Sequence, residues 1–292
     1  MAALPERTAQ SYGPAVTSAS KAVLLEVMAT LRAYREALVL VGGWAPYFLL
    51  DAHRAGAAEF LHVGSIDIDL AVDPAAIAEP EYATIAQLLT ARGYRPVAGK
   101  GREAPRSLER TVLSPVTAKP YTIRVDFLTR PDPSTRTAHQ AVQDDLFARK
   151  VKGCEAAFTH RAPIELSGTL PDGGTMSLSL GMADLTGILT MKGIVLGERF
   201  REKDAYDIYA LMKHYGDGPR EVAACLAPFR EEPLLRESLA NIEAAFGRRT
   251  AHGPAWVASF LVSAVFGAER ERLITDAHMV VTECLRHVQA TG

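Results

Sequence analysis

The chain has 292 residues, 48% of them hydrophobic and 23% charged, with 32 basic and 34 acidic side chains for a formal net charge of -2. That composition belongs to a globular protein, and the near-neutral total excludes a whole-molecule field aimed at a polyanion. Three scattered cysteines (Cys154, Cys225, Cys284) form no CxxC pair, which argues against a zinc ribbon or a disulfide scaffold and predicts a reducing compartment. The longest apolar runs, Ala37–Leu50 and Gly253–Gly267, fall short of the roughly 20 residues that span a bilayer. With Glu6 and Arg7 near the start and no apolar segment between, no secretory signal is read. The expectation is a cytoplasmic protein with no membrane partner.

In chain order, residues 1–18 read as a loose polar arm. Residues 19–36 are expected to be helical, with Val23, Leu24, Val27, Leu31 and Tyr34 at helical spacing. The run Ala37–Val41 predicts a short strand entering Gly42-Gly43, and Trp44–Arg54 a second helix. Ile66–Val72 alternates apolar and acidic residues over its first five positions, so it reads as a strand with its carboxylates on one face. Glu81–Arg92 is expected to be a helix closed by Gly93, and Tyr121–Leu128 a strand ended by Pro131 and Pro133. Helices are then expected over Met182–Leu196, Lys203–His214, Pro219–Leu226, Pro233–Phe246, Pro254–Phe266 and Glu269–Gln289. The fold class is α+β: a mixed sheet with flanking helices over residues 1–140, then a mainly helical region over 141–292.

Asp67 and Asp69 leave the same strand face roughly 6–7 Å apart. Two ionised carboxylates so close face water or share a cation, and a hard dication such as Mg²⁺ takes oxygen ligands. Asp126 lies on a second strand between apolar residues, and three carboxylates on adjacent strands suit metal-assisted phosphoryl or nucleotidyl transfer. Alone, an Asp-x-Asp pair equally describes a solvated strand edge. Gly42-Gly43 between strand and helix either makes a tight turn or opens backbone N–H groups to a phosphate, and the Ser65 hydroxyl is near enough in sequence to join them.

Lys192 falls on the apolar stripe Leu185, Ile188, Leu189, Val195 and Leu196, so it must snorkel out, pair with a carboxylate or meet an anion. Asp204 and Asp207 share a face with Ile208 and Leu211 in the following helix; Asp204 also suits a helix cap. Residues 92–124 carry eight basic side chains (Arg92, Arg95, Lys100, Arg102, Arg106, Arg110, Lys119 and Arg124) against Glu103 and Glu109. With Tyr94 and Tyr121 interleaved, this local charge is either a solvated loop or a surface for phosphate backbones.

Taken together, Val41-Gly42-Gly43-Trp44-Ala45, Ser65-Ile-Asp67-Ile-Asp69-Leu, Val125-Asp126-Phe, Met191-Lys192 and Lys203-Asp204-Ala-Tyr-Asp207-Ile-Tyr resemble the DNA polymerase β-like nucleotidyltransferase superfamily, and within it the AbiEii/MenT branch of bacterial toxins. The resemblance covers roughly residues 35–212. It implies nucleotide transfer from an NTP to an acceptor, tRNA for characterised members, with Mg²⁺ or Mn²⁺ as cofactor and an antitoxin protein as a possible partner. It also implies that Ser65 contacts nucleotide, that Asp67 and Asp69 bind metal with Asp126 as third carboxylate, that Lys192 binds phosphate and that Asp207 is the acidic residue of the later helix. Two departures stand out: Asp51–Leu61 reads as an insertion, and Val41 replaces the basic residue often found before the paired glycines. The same Gly-Gly-Trp-Ala and Asp-Ile-Asp-Leu wording also resembles enzymes that modify aminoglycosides or lincosamides. A non-catalytic nucleotide-binding module is the remaining alternative.

Overall fold

The computed structural model describes residues 7–53, 60–77, 83–97, 105–199, 202–262 and 265–290. It is an α+β protein whose chain divides into two compact units. One comprises Pro14–Ala45 and Gly64–Gly187; the other comprises Met1–Gly13, Pro46–Val63 and Ile188–Gly292. The division is discontinuous, whereas the sequence suggests a single break near residue 140. Gly42, Gly43, Ser65, Asp67, Asp69 and Asp126 fall in the first unit, Lys192 and Asp207 in the second.

The first unit is built on one mixed sheet. Among the described residues its strands are β1 (Leu38–Val41), β2 (Ile68–Val72), β3 (Arg95–Pro96), β4 (Ser107–Leu113), β5 (Pro120–Thr129), β6 (His139–Gln143), β7 (Leu146–Lys150), β8 (Arg161–Thr169) and β9 (Thr175–Ala183). Their order is β3-β4-β5-β2-β1-β9-β8, with the β6–β7 hairpin attached to β5 through β7. The core follows from the period-2 pattern: Ile68, Leu70 and Val72 on β2 and Ile123, Val125 and Phe127 on β5 are buried on one face. Helix α1 (Pro14–Thr30) packs on the sheet with Val23, Leu24, Leu25 and Val27 fully buried, and α4 (Cys154–Thr159) packs against β1, β2, β5 and β9. Helix α3 (Ile85–Ala91) starts at a capping box, in which Thr84 and Gln87 satisfy each other's backbone N–H groups. Strands β6 to β9 occupy 139–183, so the mainly helical region begins at α5 (Leu185–Glu198) rather than at 141. Residues 14–18, expected in a loose arm, form the first turn of α1.

The second unit is helical. Helices α6 (Glu202–His214), α7 (Pro219–Leu226), α8 (Pro233–Phe246), α9 (His252–Leu261) and α10 (Ala268–Ala290) bury Ile208, Leu211, Val222, Leu235, Ile242, Phe246, Val257, Phe260 and Val281 among themselves. Helix α2 (Trp44–Ala52) begins in the first unit and continues into the second. Two glycines of α5 let α8 approach closely. A Cβ on Gly193 meets Ser238 Oγ at 2.0 Å, and one on Gly197 meets Asn241 Nδ2 at 2.5 Å. In that contact the Ser238 hydroxyl donates to the Leu189 carbonyl at 2.9 Å and the Asn241 amide to the Gly193 carbonyl at 3.1 Å. Among the described residues no helix is long and apolar enough to cross a membrane.

Candidate functional site

In the sheet unit, pairing register assembles the carboxylates. Strands β2 and β5 run parallel with Asp69 opposite Asp126, and β1 places Val41 opposite Asp69 on the other side. Ser107 of β4 is opposite Asp126. Ser107, Asp126, Asp69 and Val41 therefore form one row across four strands, on the face opposite Ile68 and Val125. The Ser107 hydroxyl donates to Asp126 Oδ1, and Arg124 Nε lies 4.0 Å from the same oxygen. Asp67 sits in a bend just before β2.

The Gly42-Gly43 turn closes over this row. Gly42 has φ +69°, and a Cβ there meets Asp69 Oδ2 at 2.1 Å, so both the backbone and the neighbouring carboxylate require glycine. A Cβ on Gly43 comes to 3.0 Å from Ser65 Oγ. Ser65 is buried and donates to the Asp67 carbonyl at 2.8 Å, which ties the loop that delivers Asp67. Beyond the turn, the indole N–H of Trp44 donates to Ser20 Oγ at 3.0 Å and anchors the start of α2.

The fold thus brings Asp69 and Asp126 side by side, flanked by Asp67. Among the described residues no group of three or more His, Cys, Asp and Glu side chains is gathered as a metal site. Two adjacent half-buried carboxylates with oxygen donors alone suit a hard dication that keeps several waters. The neighbouring basic stretch is divided rather than pooled. Arg110 ion-pairs with Glu26 of α1 and lies over the Tyr94 ring, 5.6 Å from its centroid. Tyr94, expected as an interleaved surface aromatic, is buried and donates to Glu26 at 2.8 Å, so burial and that carboxylate push its phenol pKa up. Arg106 donates to the His139 ring at 2.8 Å. Arg92, Arg95, Lys119 and Arg124 are exposed; Lys100 and Arg102 lie outside the described residues.

In the helical unit, Lys192 does not snorkel. Its ammonium donates to Asp204 Oδ1 at 2.6 Å and stands 2.7 Å from Asp207 Oδ2, with only 12% of its side chain exposed. Lys203, one turn before Asp207 on α6, ion-pairs with Asp207 Oδ1, and Arg199 lies 3.6 Å from Asp204. The stripe expectation for α5 is exceeded: Leu185 to Met191 are buried all round. A residue that sequence reasoning passes over completes the cluster. His62, in the segment before Ser65, places Nε2 2.9 Å from Asp207 Oδ1, with both side chains essentially inaccessible. A single histidine in an irregular segment has no periodic signal, and its partner is 145 residues away in the chain.

The electrostatics follow from burial against pairing. Burial alone raises the Asp207 carboxyl pKa, but Lys192 and Lys203 outweigh it and hold the group well below the usual carboxylate range. Burial likewise opposes the charge on Lys192, and Asp204 and Asp207 overcome it, so this ammonium stays protonated. Lys203 is shifted downward, first by burial and then by Lys192, against the opposing pull of Asp207. His62 is lowered to about 4, by burial and by Lys203, and is therefore neutral at pH 7. With no exposed surface and three donors on its oxygens, Asp207 holds charge in place; it is not positioned to take a proton from a substrate.

No protein-family model and no curated protein matches this chain. Among solved structures, the crystal structure of JHP933 from Helicobacter pylori is similar over 91% of this chain and 94% of that one, at 13% identity and a TM-score of 0.37. A likeness at that TM-score carries no argument about activity.

Proposed function

We propose that this chain is a metal-dependent nucleotidyltransferase. It moves a nucleoside monophosphate from an NTP to an acceptor hydroxyl, an RNA 3′ end such as that of tRNA, as in toxin–antitoxin and abortive-infection systems. The observation that carries the reading is the register Asp69–Asp126 beneath the Gly42-Gly43 turn. Paired carboxylates beside a glycine turn at a helix start combine cation ligands with backbone N–H donors for phosphate.

Asp67, Asp69 and Asp126 would hold Mg²⁺ or Mn²⁺, which when bound neutralises triphosphate charge. The Gly42 and Gly43 amides donate to phosphate oxygens, with Ser65 keeping Asp67 in place through its carbonyl. In the transfer the acceptor oxygen bonds to the α-phosphorus, the bond to the β-phosphate oxygen breaks, and pyrophosphate leaves. The hydroxyl proton passes to Asp126, the carboxylate of the row whose side chain is 26% exposed. Lys192, which the resemblance assigns to phosphate, is held charged and fixed by Asp204 and Asp207. Catalysis of this kind is positioning and charge neutralisation.

The test offers each α-³²P-labelled NTP with Mg²⁺ to the wild type and to Asp69→Ala, with bulk tRNA in one series and an aminoglycoside and lincosamide panel in another. Label on tRNA that disappears in the variant supports the reading. Label on a small molecule transfers the chain to the drug-modifying class. NTP binding without label anywhere indicates a non-catalytic module.

A further inference from the structure

The sheet face that carries Asp126 changes character along its length. Toward the C-terminal ends of β2 and β5, Ala71 and Leu128 lie on that face and are buried. Asp69 and Asp126 are half-buried, and in the opposite direction Arg124 and Thr122 of β5 and Thr111 of β4 are exposed. The face therefore opens to solvent at the carboxylates and stays open along β4 and β5.

Side chains at paired positions share a face, so register shows what else stands there. Glu109 of β4 is paired with Arg124 on one side and with Arg95 of β3 on the other. Where β4 has ended, Arg149 of β7 is level with Leu128, and His139 of β6 is level with Arg149. Arg106 donates to the His139 ring at 2.8 Å and so joins that group. Among the described residues, four arginines thus border the carboxylate row, with Glu109 between two of them. Arg95, Arg124 and Arg149 are exposed and Arg106 is half-buried. Arg110 and Arg130 are engaged otherwise, in ion pairs with Glu26 and Asp73.

Their spacing suits a polymer. Arg124 precedes Asp126 by two residues and Arg149 is level with the position two beyond it, so the pair straddles Asp126 roughly 13 Å apart along the strands. Arg95 stands two strands from Arg124, roughly 10 Å away. A single phosphate meets one of these positions, whereas a chain of phosphates meets several in succession. An aminoglycoside, which carries several ammonium groups, is repelled by the same surface.

We infer that Arg95, Arg106, Arg124 and Arg149 form the surface on which a single-stranded RNA end lies, its phosphates on the arginines and its terminal hydroxyl at Asp126. The role of Asp126 rests on the nucleotidyltransferase reading; the RNA contact itself needs neither metal nor NTP.

The experiment measures fluorescence anisotropy of a 5′-fluorescein single-stranded RNA of about 12 nucleotides, in EDTA and without NTP, over a series of salt concentrations. The proteins are the wild type, Arg124→Ala, Arg149→Ala, their double variant, and Arg236→Ala, which removes an exposed arginine of α8 and so matches the change in charge. Each arginine of the surface is expected to lose affinity about three- to tenfold and to lower the salt slope by about 0.7, with the two losses multiplying in the double variant. Arg236→Ala stays within about twofold of the wild type. Circular dichroism confirms folding, and Arg124→Lys and Arg149→Lys, which keep the charge, recover most of the salt slope. A wild type that does not bind the RNA overturns the inference, as do surface variants that bind like Arg236→Ala. Polyglutamate that competes as well as unlabelled RNA overturns the choice of RNA. RNA bound through these arginines but never labelled from any α-³²P NTP upholds the surface and overturns the nucleotidyltransferase reading instead.

Discussion

The two units each gather aspartates, and they do so in opposite ways. In the sheet unit, Asp126 is 26% exposed at its side chain, accepts from Ser107 and lies beside a half-buried Asp69. In the helical unit, Asp207 has no exposed surface and is enclosed by Lys192, Lys203 and His62. The sheet pair faces solvent from a rigid row, an arrangement that can exchange water for a cation. The helical carboxylate is spent inside the protein, because a charge so buried persists only when fully paired. One residue type thus stands half-exposed and open to solvent in one place and serves as a buried strut in the other, and burial decides which.

The largest expected effect breaks the strut. Asp207→Ala leaves the buried Lys203 ammonium without its carboxylate and Lys192 with Asp204 alone, and is expected to cost about 3–5 kcal/mol of stability, read by denaturant unfolding. A loss below about 1 kcal/mol makes the cluster a surface feature and removes the contrast. Acid comes next. Because the folded His62 pKa, at about 4, lies below its ordinary 6.5, the fold favours the neutral ring. That stability is complete above pH 6.5 and is lost as the pH falls toward 4, to a total of up to about 3 kcal/mol. His214, also lowered to about 4 by burial and Lys213, acts in the same direction. The difference between wild type and His62→Gln in pH-dependent melting isolates the His62 share, and identical acid profiles contradict it.

Under the proposed function, the sheet row is expected to respond in activity instead. Asp69→Asn is expected to reduce nucleotidyl transfer about 100-fold, equivalent to about 2.7 kcal/mol of barrier, while unfolding free energy moves by less than about 1 kcal/mol. A variant equally active, or one that fails to fold, ends the distinction between the two units. The smallest change is Gly42→Ala. Its positive φ costs about 1–2 kcal/mol, and the added methyl displaces Asp69, so transfer falls with stability. Differential scanning calorimetry beside the transfer assay reads both.

Legibility in the sequence follows the same physics. Ile66–Val72 and Tyr121–Leu128 are readable as strands because one buried face imposes alternation over Ile66–Leu70 and Thr122–Phe127, and β2 and β5 lie within two residues of those bounds. Strands β8 and β9 are not. Ser167, Thr169, Thr175, Ser177 and Ser179 face outward from a hairpin with few buried residues, so neither hydrophobic period nor length betrays it. Strand β4 hides in the basic stretch because its pattern makes sense only against β5. Two helices of the second unit are placed closely because each buries one face: Lys203–His214 and Glu269–Gln289 are matched by α6 and α10 within one residue at each end, whereas the helix expected over Pro254–Phe266 is α9, His252–Leu261.

The local sequence by itself determined where glycine pairs, carboxylates and amphipathic helices stand, because turn chemistry and side-chain periodicity act over a few residues. Tertiary structure alone decided that Asp69 abuts Asp126, that Arg110 and Tyr94 close on Glu26, and that His62 donates to Asp207. These partners are separated by tens to more than a hundred residues, and their pairing is set by strand register and helix packing, which minimise unpaired buried charge over the whole fold.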